Sequence, residues 1–137
     1  MKSDEQIVDD IYLHIMEGTL KDTITGTVES DGERTSSSTN EDIVIGVISN
    51  GLVKDVQEAY VSVNIYVKDI NVNGQWRKDR TRLRQLAALA EEELKVGGIG
   101  KDYTFYIETQ RVFKVEGIDA PHEHFINNKL IYHVLNS

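Results

Sequence analysis

Two histidines, His122 and His124, are the residues of this chain whose types and spacing could hold a metal ion. On a β-strand both side chains would point to the same side, where they could share a metal and support metal-dependent catalysis. Such a site needs a third ligand, and no other residue stands at a recognisable spacing. We therefore predict no metal site, and a His-based metal-dependent enzyme is the least favoured of three functional hypotheses.

A glycine-rich run, Gly97-Gly98-Ile99-Gly100-Lys101, has a superficial similarity to a phosphate-binding loop. Such a loop requires a glycine five residues before its Gly-Lys pair and a serine or threonine directly after it. Those positions hold Lys95 and Asp102, and the run follows a predicted helix instead of opening one. The sequence therefore predicts no nucleotide and no other cofactor.

Three consecutive serines, Ser36, Ser37 and Ser38, raise the question of a nucleophile, which would need a base in reach and a constrained turn. The chain has no Gly-x-Ser-x-Gly motif, and no histidine is close to these serines in sequence. Acidic residues are plentiful, but no spacing marks a pair for acid–base catalysis. We therefore predict no catalytic residues and no enzymatic activity.

The composition is that of a globular protein of 137 residues, long enough for one core. A net charge of -8 argues against broad binding to nucleic acid or to an anionic membrane. The chain has no cysteine, which removes disulfides, thiolate nucleophiles and cysteine-based zinc sites, and fits a reducing cytoplasm. No apolar run follows a basic start, so we expect no signal peptide, and no stretch approaches the roughly 18 apolar residues of a membrane helix.

The helices and strands that must position any site can be predicted from the spacing of the apolar residues and from capping and turn residues. Ser3 and Gln6 form a capping box before apolar residues at helical spacing, and Gly18 is a natural helix end. Alternating residues predict strands, and the Ser/Thr-rich segment 34–40 predicts a loop. The predicted helices span residues 4–17 and 77–95, and the predicted strands span residues 22–30, 41–48, 57–70, 103–115 and 124–135.

These elements predict one α+β domain over residues 1–137, in the order α-β-β-β-α-β-β. We expect a mostly antiparallel sheet of about five strands with both helices on one face. The last strand is apolar on both faces, since Phe125 and Ile131 face one way while Ile126 and Leu130 face the other. Either the Ser/Thr loop or another subunit must cover the second face, and we favour another subunit.

The second predicted helix has a basic first half and an acidic end, the reverse of what the helix dipole favours. Its charged residues lie off the apolar stripe and therefore face solvent or a partner, which we expect to be a protein and not nucleic acid, because no aromatic residues interleave the basic ones. The basic residues are Arg77, Lys78, Arg80, Arg82 and Arg84, and the acidic residues are Glu91, Glu92 and Glu93.

Three short features occur in order along the chain: Arg34 before the Ser/Thr run, Glu41-Asp42-Ile43-Val44-Ile45, and Val63-Asn64-Ile65-Tyr66-Val67. With these features the chain resembles bacteriophage tail-completion or tail-terminator proteins over roughly residues 30–135. The matching positions are Arg34, Ser37, Glu41 and Asp42. One departure is Thr35, which stands where the family pattern has a proline.

The resemblance implies a structural role in virion assembly. Proteins of this kind form a ring, commonly a hexamer, on the last ring of the tail tube, stop its polymerisation and present a face to the head connector. The implied partners are thus other copies of the chain, the tail tube protein and the head-tail connector protein. The resemblance also implies assembly in the host cytoplasm and then a place in the tail or neck of the virion.

The alternative is a small protein-binding adaptor unrelated to phage, monomeric or dimeric, that uses the same helix face for one partner. Neither hypothesis involves a membrane or sequence-specific binding of nucleic acid. The ring hypothesis assigns the contacts between subunits to the charged residues at the two ends of the second helix, Arg77, Lys78, Arg80, Arg84, Glu91, Glu92 and Glu93.

Overall fold

The computed structural model describes residues 1–35 and 37–135; Ser36 of the serine run lies outside the described residues. Helix α1 (Asp4–Glu17) begins at a capping box, in which Ser3 Oγ accepts from the Gln6 N–H at 3.2 Å and Gln6 Oε1 accepts from the Ser3 N–H at 2.8 Å. The prediction of a helix over residues 4–17 is confirmed.

The main sheet has six strands in the spatial order β1-β2-β3-β8-β7-β6. All of its pairs are antiparallel except β1 with β2. The α+β class is confirmed, but the expected strand number of about five and the expected strand order are wrong in detail. The strands are β1 (Val28–Glu29), β2 (Ile43–Val53), β3 (Val56–Lys68), β6 (Val96–Gly97), β7 (Tyr103–Lys114) and β8 (Glu123–Val134).

A separate two-stranded hairpin follows β3 and was not predicted. Its strands are β4 (Ile70–Val72) and β5 (Gln75–Arg77), joined at Asn73 and Gly74, both of which have positive φ. This hairpin takes Arg77 out of the second helix. Helix α2 spans Arg80–Leu94, where Asp79 caps it by accepting from the Arg82 N–H at 3.0 Å.

The prediction of a strand over residues 22–30 is wrong for most of its length. Leu20–Asp22 form a short 3₁₀ helix, and only Val28–Glu29 join the sheet. The intervening N–H groups bond elsewhere: Thr25 donates to Glu41 Oε1 at 3.1 Å and Thr27 donates to Asp42 Oδ1 at 3.0 Å. Because carboxylates satisfy these backbone groups, the segment does not need a neighbouring strand.

Both helices pack on the same face of the main sheet and share one core with it. Helix α1 contributes Ile7, Ile11 and Ile15, and alternate residues of β3 and β8 face the helices. We call the opposite side of these two strands the open face. It presents Tyr60, Ser62, Asn64 and Tyr66 from β3 and Phe125, Asn127, Lys129 and Ile131 from β8.

Within the described residues, neither helix has the length and apolar character that crossing a bilayer would need. Strand β6 pairs only with Phe105 and Tyr106, so the rest of β7 has no strand on its outer side among the described residues. The centre of the sheet is the β3–β8 pair, which joins elements far apart in the chain.

Candidate functional site

Arg34 lies at the centre of a buried network of charges at one end of the open face. Its Nε donates to Asp42 Oδ2 at 3.0 Å, and its Nη1 and Nη2 donate to the two oxygens of Glu123 at 2.8 and 3.1 Å. Nη2 also donates to the Asn40 carbonyl at 2.8 Å, and the guanidinium stacks 4.3 Å from the centre of the Tyr66 ring. Arg34 therefore fastens the Ser/Thr loop onto the sheet.

The chemistry of Asp42 fits this fixing role. Burial alone would raise the pKa of its carboxyl, but hydrogen bonds from Ser38, the Thr27 backbone and Arg34 outweigh burial and lower the pKa below its usual value. Asp42 therefore remains ionised at neutral pH. Its oxygens are occupied by these donors, so it is a structural anion and not a general acid or base.

Glu41 is held in the same way by Arg82, which sequence reasoning assigned to solvent or a partner. Arg82 Nε and Nη2 donate to the two Glu41 oxygens at 2.6 and 2.7 Å, and Nη2 also donates to the Thr23 carbonyl. The expectation for Arg82 is therefore wrong, because this side chain ties the start of α2 to the start of β2. Ser37 is exposed in the loop with a φ of 63°, and the neighbouring Ser38 is the serine that donates to Asp42, at 2.5 Å.

The other charged residues predicted for an interface divide into two groups. Arg77, Lys78, Arg80 and Arg84 are exposed, as are Glu91 and Glu92 at the far end of α2. Glu93 instead turns inward, where its Oε1 accepts from the Leu20 N–H at 3.1 Å. An outward contact through Glu93 is therefore wrong, whereas the six exposed residues remain available to a partner.

The two histidines make separate contacts. His122 stacks on Trp76 with ring centres 4.5 Å apart, whereas His124 Nδ1 donates to Asp69 Oδ1 at 2.7 Å. Over residues 1–35 and 37–135, no three His, Asp or Glu side chains converge in a way that could hold a metal ion. The glycine run supplies β6 and the turn into β7, with Lys101 N–H donating to the Gly98 carbonyl.

A strongly basic end of the molecule was only partly visible in the sequence. We define the basic end as residues 68–84, which comprise the β4–β5 hairpin and the first turns of α2. It holds six basic and two acidic residues, a net charge of +4. The hairpin also exposes large apolar side chains, namely Ile70, Val72 and Trp76, the last of which is 51% exposed.

An acidic surface lies elsewhere on the same chain. Residues 1–33 hold nine acidic and two basic residues, a net charge of -7. The α1 surface, as we call it, consists of Asp9, Leu13, Met16 and Glu17 of that helix with Val96 and Ile99 beside it. Leu13 is 56% and Ile99 86% exposed. A cavity of about 330 Å³ between α1 and the turn into β7 is bounded by Leu13, Glu17, Val96 and Ile99.

The open face of the sheet is apolar at its ends and polar in the middle. Phe125 packs between Tyr66 and Phe113, with ring centres 5.4 and 5.6 Å away. In the middle, Asn127 donates to Ser62 and Asn64. Phe125 and Ile131 lie on this face and Ile126 and Leu130 on the opposite one, so both faces of β8 carry apolar residues, as predicted.

The chain matches no protein-family model and no curated protein. The class of protein must therefore be argued from the surfaces. Two features of the structure, the β4–β5 hairpin and the contact between Arg34 and Glu123, were not predicted from the sequence. The hairpin could have been found, because Asn73-Gly74 flanked by Ile70, Val72 and Trp76 is a strong hairpin signal. Glu123 carried no local sign of its contact with Arg34, which is 89 residues away.

Proposed function

We propose that this protein is a bacteriophage tail terminator or neck protein, a non-enzymatic assembly factor that caps the tail tube as a ring and joins it to the head connector. The observation that carries the proposal is the separation of charge and exposed apolar residues onto two surfaces of one chain. The basic end is positive and apolar, and the α1 surface is negative and apolar.

Two different complementary surfaces on one chain favour head-to-tail association. Contacts of this type close into a ring when the rotation between subunits allows it, and otherwise extend into a filament. Arg77, Lys78, Arg80 and Arg84 would supply the positive side of each contact, and Glu91 and Glu92 would add to the negative side. This arrangement explains the reversed charges of α2, which oppose its dipole.

The open face and the Arg34 loop then remain for partners outside the ring. Tyr106 is 44% and Phe113 37% exposed on β7 beside this face, which gives a partner apolar area to bury. We assign this side to the tail tube protein or the head-tail connector protein. The proposal requires no cofactor and no metal, and it places the protein in the virion after assembly in the host cytoplasm.

Two of the residues that carry the family resemblance, Arg34 and Asp42, support the proposal because they contact each other. Arg34 binds Asp42 directly, and the adjacent Glu41, which like Asp42 directly precedes β2, binds Arg82. Two members of the pattern thus form one buried pair, whereas Ser37 is exposed in the loop. Thr35, at the position of the family's proline, is exposed and lies outside this buried pair.

The second candidate function is a protein-binding adaptor unrelated to phage. The observation that favours it is the hairpin itself, which exposes both apolar and basic residues and would suit one acidic protein partner. In this case the chain would be a monomer or a dimer, and the α1 surface would have no complementary role.

The native mass across a concentration series, with negative-stain images of the most concentrated sample, separates the two candidates. Six-fold or similar rings are the expected result and would lead directly to assays of tube capping. A stable dimer would contradict the ring. A monomer at every concentration would favour the adaptor.

A further inference from the structure

We infer that the β4–β5 hairpin of one copy docks on the α1 surface of the next copy, and that this contact builds the ring. The inference rests on the proposed function and names the surfaces that the ring would use. It identifies the occupant of both surfaces as a second copy of this chain, because the two surfaces complement each other in charge and in exposed apolar residues.

The hairpin lacks the support that a stable strand pair needs. All six residues of β4 and β5 are exposed, and the pair does not join the main sheet. An isolated two-stranded hairpin is marginally stable in water, and stability requires a third strand or packing against a helix. In this chain, Trp76 stacking on His122 holds one side of the hairpin.

The other side of the hairpin is the docking side. From the register, Ile70 lies opposite Arg77 and Val72 lies opposite Gln75, so these four side chains share one face, and Trp76 lies on the other. The docking side thus combines two exposed apolar residues with one guanidinium. Arg77 donates to the neighbouring Gln75 at 2.8 Å and forms no ion pair with a described residue.

The α1 surface offers the matching features. Leu13, Met16, Val96 and Ile99 are all exposed and apolar, and all but Met16 border the cavity beside the helix. A helix supplies the packing that the hairpin lacks. Burial of apolar side chains from both copies contributes about 25 cal/mol per Å² removed from water, before the entropic cost of association.

Not all carboxylates near the α1 surface are free to bind a partner, because some already form ion pairs within the chain. Lys2 Nζ already lies 2.7 Å from Asp10 and 2.8 Å from Asp102, the other two carboxylates that border the cavity, and the exposed Lys101 borders it as well. Glu17 is exposed and forms no ion pair among the described residues. Asp9 is likewise exposed and without an ion pair among the described residues, but only Glu17 borders the cavity, so Glu17 is the carboxylate that Arg77 of the next copy would meet.

A single chain cannot make this contact with itself. The hairpin follows Lys68, which pairs with Glu123 at the beginning of β8, whereas the cavity lies beside Tyr103, which pairs with Val134 at the end of β8. Twelve residues of strand separate these two ends by about 35 Å or more. Each copy therefore presents a hairpin at one end and a receiving surface at the other, which is head-to-tail.

Disulfide cross-linking tests the contact, since the chain has no native cysteine. The double variant Glu17→Cys/Arg77→Cys is oxidised under the conditions used for native mass. We expect a ladder of covalent oligomers that ends at the mass of the closed ring, because each copy carries both partners of the contact. The matched control is Glu17→Cys/Arg111→Cys, in which the second exposed arginine lies on β7 away from the hairpin.

We expect about tenfold more cross-linked product from the Arg77 pair than from the control, because docking raises the local thiol concentration. If native mass shows rings but the Arg77 pair gives no more cross-linked product than the control, the hairpin contact would be overturned and the ring function would be retained. Covalent product that stops at a dimer would overturn head-to-tail docking. Monomers in native mass with no ladder would overturn both. Urea unfolding of each double variant shows that the comparison is made on folded protein.

Discussion

Arg34 illustrates how one residue sets the local structure of a loop. Its side chain is 16% exposed and those of Asp42 and Glu123 are 4% and 1% exposed, so three charges are removed from water together. Such a network offsets its desolvation only when every group is paired. The network therefore fixes the position of the Ser/Thr loop more than it adds to global stability.

Replacing Arg34 by methionine tests this account at the residue scale. Asp42 and Glu123 would remain buried without their cation, which typically costs about 3–5 kcal/mol. We expect a loss of this size in the free energy of unfolding from urea titration. Arg111→Met is the matched control, since Arg111 is an exposed arginine on β7 and its loss should change stability by about 0.5 kcal/mol or less.

A loss below about 1 kcal/mol for Arg34→Met would contradict the network as described, because it would mean that water reaches the carboxylates.

The sequence singled out Arg34, Glu41 and Asp42 through the family resemblance but not their partners. Arg82 and Glu123 are 41 and 89 residues from the groups they bind. Such contacts leave no periodic trace, so local patterns could not identify them.

At the scale of elements, long periodic segments were predicted well and short ones were not. Helix α1 and strands β3, β7 and β8 lie within two residues of their predicted bounds, and α1 and β3 each bury one clear apolar face. Segment 22–30 failed because Glu41 and Asp42 take up its backbone N–H groups, a tertiary effect that alternation cannot reveal. The predicted start of α2 was too early because Arg77 lies in strand β5 of the hairpin.

Strand β6, which has only two residues, depends on a glycine. A Cβ on Gly97 would lie 2.2 Å from the Phe105 ring and 2.9 Å from the His14 ring. Phe105 is fully buried and cannot move aside, so Gly97→Ala should destabilise the fold by about 1–3 kcal/mol through overpacking. Urea unfolding measures this loss.

Gly51→Ala in β2 is the matched control, because no atom lies within 4 Å of the added Cβ. We expect no loss there, and a gain of up to about 1 kcal/mol from the reduced freedom of the unfolded chain. If Gly97→Ala lowers the free energy of unfolding no more than Gly51→Ala does, a shift of β6 must relieve the close contact at Gly97.

At the scale of the whole molecule, we expect the distribution of charge to control how copies of the chain associate. Residues 1–33 carry a net charge of -7, and residues 68–84 carry a net charge of +4. Head-to-tail contacts between these regions should weaken with salt, since the Debye length falls from about 10 Å at 0.1 M to about 3 Å at 1 M. We expect native mass to show rings dissociating as sodium chloride rises over this range.

The reversed-charge variant Arg77→Glu/Lys78→Glu is the companion measurement, and it should remain monomeric at low salt, where repulsion is least screened. Rings whose mass does not change with salt would contradict a contact that depends on these charges, and would assign association to the apolar residues of the open face instead. In that case the same variant would still assemble.

The pairing of β3 with β8 at the centre of the sheet also determines when this protein can fold. Asn127 bonds to Ser62 across 65 residues of chain, so β3 emerges from the ribosome long before its partner strand exists. In that interval β3 can pair with β2, which precedes it in the chain, but the edge of β3 that later meets β8 has no partner and is open to another nascent chain. We therefore expect the centre of the sheet to form only after β8 has been synthesised, and we expect aggregation to compete with folding most strongly when many copies are synthesised at once.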